Sequence, residues 1–259
     1  CDRVEGVDLA SELAGQNEPL SLPRVAAWAD AMLNVLNAMH NLRPPMVHGG
    51  VRPENLVLLP DDRIRLNMAA VLAGDERRAG SSQTPLAYAP LEQIWSGLDA
   101  ASQKVIISKY DESSEKILKQ PLDAKSDLYS LGAALYHLLT GQLPLDAMER
   151  SIEMIEGHRD PLQPPNKLDP AIPVEVSDVV MKAMEVKREY RFDSAAIMRQ
   201  VLKTALVRVK EREAEEALIE RVEQADVRPA TQDYAAPQQV VADKLEEEYL
   251  ASKLREAEE

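Results

Sequence analysis

The sequence predicts a mainly α fold carrying one small β-hairpin. Two helical stripes and one strand–turn–strand pattern lead to this reading. Val25, Ala29, Met32, Leu36 and Met39 recur at spacings of four and three, and Leu128, Leu131, Leu135 and Leu138 at three, four and three, the period of a helix face. Leu56-Val57-Leu58-Leu59 and Ile64-Arg65-Leu66 flank Pro60-Asp61-Asp62, as two short strands flank a turn. With 259 residues, 45% of them hydrophobic, the chain can bury the core of one large or two small domains.

The first helix starts near Pro23, which suits a first helical turn, and stops before Pro44-Pro45. After the hairpin, residues 68–92 are rich in Ala, Gly and Ser and read as a loop. Residues 94–120 hold short apolar clusters between polar stretches and read as an insert of one or two short helices. The second stripe is apolar around much of its helix, so that helix is expected at the centre, ending at Gly141 with Pro144 beyond. Three amphipathic segments follow. One lies near 147–157, another near 174–185 carries Val176, Val180 and Met184, and a third takes Asp193 as N-cap and carries Met198, Val201, Ala205 and Val209. These elements make a domain over 1–205. The helical pattern continues as an extension over 206–225 through Ala214, Leu218 and Val222. Residues 226–239, with Pro229 and Pro237, read as a linker, and 240–259 as an acidic C-terminal helix.

Charge and composition narrow the function classes. Thirty Lys and Arg against 44 Asp and Glu give a net charge of −14, which argues against nucleic acid or anionic membrane as the main partner. Half of that charge lies in residues 208–259, a pattern that fits a solvated helical face or a protein-docking arm. One Cys excludes a disulfide framework, and the four His form no metal-ligand pair at His-x-x-x-His or Glu-x-x-His spacing, so no metal and no cofactor are expected. Apolar runs fall far short of the roughly 20 residues that span a bilayer, and no secretory leader opens the chain. A cytoplasmic protein is the expectation, with lipidation at Cys1 as the alternative. The start at Cys1 rather than Met suggests processing or a piece of a longer product.

The decisive stretch is His48-Gly49-Gly50-Val51-Arg52-Pro53-Glu54-Asn55-Leu56-Val57-Leu58. It resembles the catalytic loop of protein kinases, His-Arg-Asp-Leu-Lys-Pro-Glu-Asn before an apolar strand. Tyr88-Ala89-Pro90-Leu91-Glu92-Gln93 is similar to the end of a kinase activation segment. Asp127-Leu128-Tyr129-Ser130-Leu131-Gly132 is similar to the start of the central helix of the kinase C-terminal lobe, and Arg191-Phe192-Asp193-Ser194-Ala195 to a late kinase motif. The order and style of these landmarks resemble bacterial serine/threonine kinases of the eukaryotic type, over roughly residues 1–205 and the C-terminal lobe only. Val4 to Leu9 resembles the segment after the kinase hinge, and no Gly-x-Gly-x-x-Gly occurs anywhere in the chain.

The resemblance also exposes what differs. Where the family has the Asp that orients the substrate hydroxyl, this chain has Gly50. Thirteen residues after Asn55, where the family has Asp-Phe-Gly, it has Met68-Ala69-Ala70. A thioether does not suit a hard cation. Gly49 stands in place of the Arg that senses activation-loop phosphorylation. Among retained motif residues are His48, Arg52 (where the family has Lys) and Asn55, the family's other magnesium ligand. The resemblance implies architectural roles for Glu92 and Arg191 as an ion pair, and for Asp127 as an acceptor of catalytic-loop backbone donors. Together these imply a pseudokinase-like module with no catalytic residue, working as a scaffold or regulatory subunit for protein partners, with the face an N-lobe would occupy covered by another segment or subunit. Two other readings stay open: a piece of a bacterial serine/threonine kinase homologue with weak phosphotransfer, and a structural subunit docked by its C-terminal helices.

Overall fold

The computed structural model describes residues 6–15, 19–68, 86–95, 98–109, 119 and 121–226. Its elements are β1 (Val7–Asp8), α1 (Leu9–Gly15), α2 (Leu22–His40), β2 (Leu56–Leu58), β3 (Ile64–Leu66), α3 (Leu91–Ile94), α4 (Ala100–Lys109), α5 (Ala124–Thr140), α6 (Ala147–Ile155), α7 (Pro165–Leu168), α8 (Val174–Ala183) and α9 (Ala195–Asp226). Short 3-10 turns at Pro53–Asn55, Leu86–Tyr88 and Arg188–Tyr190 join them. Helices dominate, as the two stripes predict, and the hairpin strands lie where the sequence places them. Contacts divide the chain into a unit of Cys1–Glu211 and a unit of Arg212–Glu259, the latter described only through its helical residues to Asp226.

Helix α5 organises the first unit. Asp123 caps it by accepting from the Lys125 amide at 2.8 Å, while the Ser126 hydroxyl returns to the Asp123 amide, a capping box. The helix ends at Gly141, whose φ of 69° is left-handed and favours glycine. Leu128, Leu131, Leu135 and Leu138 are all buried, and so is nearly every other residue between Ser126 and Thr140. Helix α2 packs against α5 with Val25, Ala29, Met32, Leu36 and Met39 inward. On another side α8 approaches closely. A Cβ built on Gly132 would lie 2.8 Å from the Ala183 Cβ, so only glycine permits that approach.

The small sheet has one strand more than the hairpin. Antiparallel pairs join β1 to β2 (Val7↔Leu58, Asp8↔Val57) and β2 to β3 (Leu56↔Leu66, Val57↔Arg65, Leu58↔Ile64). A two-residue strand has no readable alternation, which is why the sequence pattern misses it. Its entry requires Gly6, where an added Cβ would stand 2.6 Å from the Leu58 carbonyl oxygen.

Two sequence expectations are corrected. Ser194, not Asp193, caps α9, its hydroxyl accepting from the Ile197 amide at 3.2 Å; Asp193 instead pairs with Lys125 at 2.7 Å. The inward stripe of α9 runs Met198, Leu202, Ala205 and Val209, and Val201 is 40% exposed, because the four–three–four spacing fits Leu202. The linker assigned to 226–239 beyond Asp226, the helix expected over 240–259 and much of the insert assigned to 94–120 lie outside the described residues, as do Cys1, Ala69 and Ala70.

Candidate functional site

The loop between α2 and β2 carries the motif residues, and α5 holds it. The Asp127 carboxylate, fully buried, accepts from the His48 amide at 2.8 Å, the Gly49 amide at 2.7 Å and His40 Nε2 at 2.8 Å. A buried carboxylate is costly unless its lone pairs are filled, and here three donors fill them. His48 is buried and its Nε2 donates to the Asn67 carbonyl at 3.0 Å, which ties the loop to the end of β3. Gly49 has φ of 66°, a left-handed conformation that costs a side chain more than it costs glycine. Its carbonyl accepts from Gln93 Nε2 at 2.9 Å, so α3 is stitched to the same loop.

Gly50 supplies a backbone only. Its φ is unexceptional, and a Cβ added there would meet Asn55 Nδ2 at 3.5 Å and His48 Nδ1 at 3.8 Å, ordinary contact distances. Space therefore does not demand glycine at this position. The Asn55 side-chain amide donates to the Gly50 carbonyl at 2.8 Å, which turns it inward on the loop. Arg52 stands 3.7 Å from the Glu54 carboxylate. Met68 packs half-buried against the hydrophobic core.

The activation-segment landmark is anchored by two further links. Glu92 and Arg191 form a bidentate pair, 2.6 Å from Nη1 to Oε1 and 3.1 Å from Nη2 to Oε2, with both side chains at 1% exposure or less. The Ser126 hydroxyl donates to Glu92 Oε1, and the remaining Arg191 donors go to the Glu185, Val186 and Lys125 carbonyls. The guanidinium also lies 4.8 Å over the Tyr129 ring. Tyr88 donates its hydroxyl proton to His137 Nδ1 at 2.6 Å. Burial pushes the Tyr88 hydroxyl pKa up and holds His137 below the ordinary imidazole value, so His137 is a neutral acceptor near neutral pH.

The sequence reading brought out His48, Gly49, Gly50, Arg52, Asn55, Glu92, Asp127 and Arg191, and the fold brings these into two linked clusters on α5. It missed His40, Gln93 and the Tyr88–His137 contact. It also missed Arg150, a fully buried guanidinium that bonds Asp160 at 2.9 and 2.5 Å, the Met184 carbonyl and the Tyr129 hydroxyl. Among the described residues one group of potential metal ligands comes together, Glu153, Glu156 and His158, at the end of α6; it is largely exposed, and His158 already pairs with Glu153 at 2.9 Å.

The arrangement has known counterparts. The kinase domain of Mycobacterium tuberculosis PknI superposes with a TM-score of 0.52 at 22% identity, covering 79% of this chain and 64% of that one. The chain has the fold of a protein-kinase C-lobe. Its sequence relatives agree. This chain is 28% identical over 229 residues to the serine/threonine-protein kinase Pkn1 of Myxococcus xanthus, which covers 87% of this chain and 31% of that protein. It is 24% identical over 184 residues to a probable serine/threonine-protein kinase of Clostridium acetobutylicum, 71% of this chain and 25% of that protein. It is 29% identical over 217 residues to PknB of Mycobacterium tuberculosis, 83% of this chain and 30% of that protein. The chain thus spans about a quarter to a third of the length of these curated relatives. No protein-family model matches it. Among its described residues no helix is long and apolar enough to cross a membrane.

The Tyr88–His137 contact gives a pH dependence. Because the folded pKa of His137 is lowered, the unfolded chain takes up the proton first. The His137 contribution to stability is fully present above the ordinary His pKa of about 6.5 and is lost as pH falls below it. Urea melts of wild type and His137→Gln between pH 7.5 and 5 check this, and the substitution should reduce the acid loss.

Proposed function

We propose that this C-lobe is a catalytically silent, pseudokinase-like module that binds protein partners as a scaffold or regulatory element. The observation that carries the reading is the chemistry at two positions. Phosphoryl transfer depends on one carboxylate to orient the hydroxyl and another to hold magnesium beside the phosphates. In the resemblance those places fall on Gly50 and Met68, a bare backbone and a thioether packed on the core. Asn55, the remaining oxygen ligand of that resemblance, is a single neutral group engaged with the Gly50 carbonyl. The frame around them is kept: Asp127 on the loop amides, Gln93 on Gly49, and Glu92 with Arg191. Chemistry removed and scaffold retained favour a module used for its surface.

The relatives' names favour a second reading, weak phosphotransfer. The two separate in a radiolabelled phosphate-transfer assay on the full-length protein with magnesium or manganese ATP and a generic basic protein substrate. The silent reading expects incorporation no higher than in a heat-denatured control. Incorporation that rises with time and enzyme concentration supports the second reading instead.

A further inference from the structure

The distal half of α9 presents an apolar face with a strongly one-sided charge around it. Leu218, Ile219 and Val222 are 62%, 52% and 58% exposed, three large apolar side chains within five residues. Leu218 and Val222 are four apart, and Ala214 continues the row four before Leu218, the spacing of one helix face. Single exposed apolar residues are ordinary on protein surfaces, but a contiguous row on one helix marks an interaction face. Residues 211–226 hold seven Asp and Glu against two Arg, with Glu215, Glu216, Glu220 and Glu223 within two turns of Leu218.

Charge decides what the row accepts. A second copy of this chain would bring an equally acidic helix against it. Residues 227–259 of the same chain are also net negative, with eight Asp and Glu against four Lys and Arg, and an anionic membrane surface is repelled likewise. We propose that the Leu218–Val222 face of α9 docks an amphipathic helix of a partner protein whose apolar row is bordered by Lys and Arg. Such a helix matches both features: i, i+4 anchors meet the apolar row, and its basic flanks meet the glutamates and set orientation. This rests on the reading of the chain as a protein-binding module, but not on its catalytic silence, so a phosphotransfer result leaves it untouched.

The test uses the full chain and two designed 18-residue helical peptides with identical leucine rows, one flanked by Lys and Arg, the other by Glu. Binding is read by fluorescence anisotropy at low and high salt. The basic peptide should bind and weaken as salt rises, and the acidic one should not bind. Leu218→Gln with Val222→Gln, which leaves charge and helix propensity nearly unchanged, should weaken the basic peptide at least tenfold, with circular dichroism reporting an intact helix. Equal affinity of the Gln variant overturns the proposal, because attraction is then charge alone. Binding of the acidic peptide, absence of binding by either, or dimerisation of the chain in sedimentation that the Gln variant abolishes also overturns it.

Discussion

Arg191→Leu is expected to lower the free energy of unfolding by about 3–5 kcal/mol, because it strands a buried carboxylate without its partner. Glu92 has almost no solvent contact, and among the described residues its carboxylate keeps, besides Arg191, only the Ser126 hydroxyl. The loss reaches further than one ion pair. Arg191 donates to three backbone carbonyls and sits over Tyr129, so the substitution also frees the turn at Glu185–Val186. The double variant Glu92→Leu with Arg191→Leu should recover part of the loss, since an apolar pair of similar size leaves no buried charge. Chemical denaturation of wild type and the two variants checks this. A single variant that melts like wild type would mean that the pair is not buried as described.

Asp127→Ala is the second large effect. Three donors converge on this carboxylate from α2 and the motif loop. Removing it leaves the His48 and Gly49 amides and His40 Nε2 without an acceptor, and each buried unsatisfied donor costs about 1–3 kcal/mol. The consequence is local as well as global. Hydrogen exchange at the His48 and Gly49 amides should speed up more than exchange within the core of α5. Uniform acceleration across the unit would instead point to simple global destabilisation.

Much of this architecture is legible in the sequence because its signals are local. The stripe Leu128 to Leu138 specifies a buried helix by its period alone, and the strand–turn–strand pattern around Pro60-Asp61-Asp62 specifies β2 and β3. The motif residues are legible because they occur as short strings in a recognisable order. What is not legible is which side chain meets which. Gln93 reaches Gly49 across 44 positions, Tyr88 reaches His137 across 49 and His40 reaches Asp127 across 87. No local period encodes such pairs; the crossing of α2, α5 and the loop creates them. His40 is a clear instance. In sequence it is one of four histidines to be weighed as metal ligands, and in the fold it is a donor to the carboxylate that holds the loop. Errors of one residue, such as Asp193 for Ser194 and Val201 for Leu202, arise because adjacent residues both satisfy the rule until packing chooses between them.

The proposed pseudokinase-like reading makes a definite prediction about nucleotide. In that reading Met68 and Gly50 stand where the family carries its two carboxylates, and a thioether and a glycine offer magnesium no charge to hold it beside the phosphates of ATP. The most direct measurement is a calorimetric titration of the full-length protein with ATP, with and without magnesium. The account predicts no magnesium-dependent heat of binding. A saturable isotherm that appears only with magnesium would contradict it.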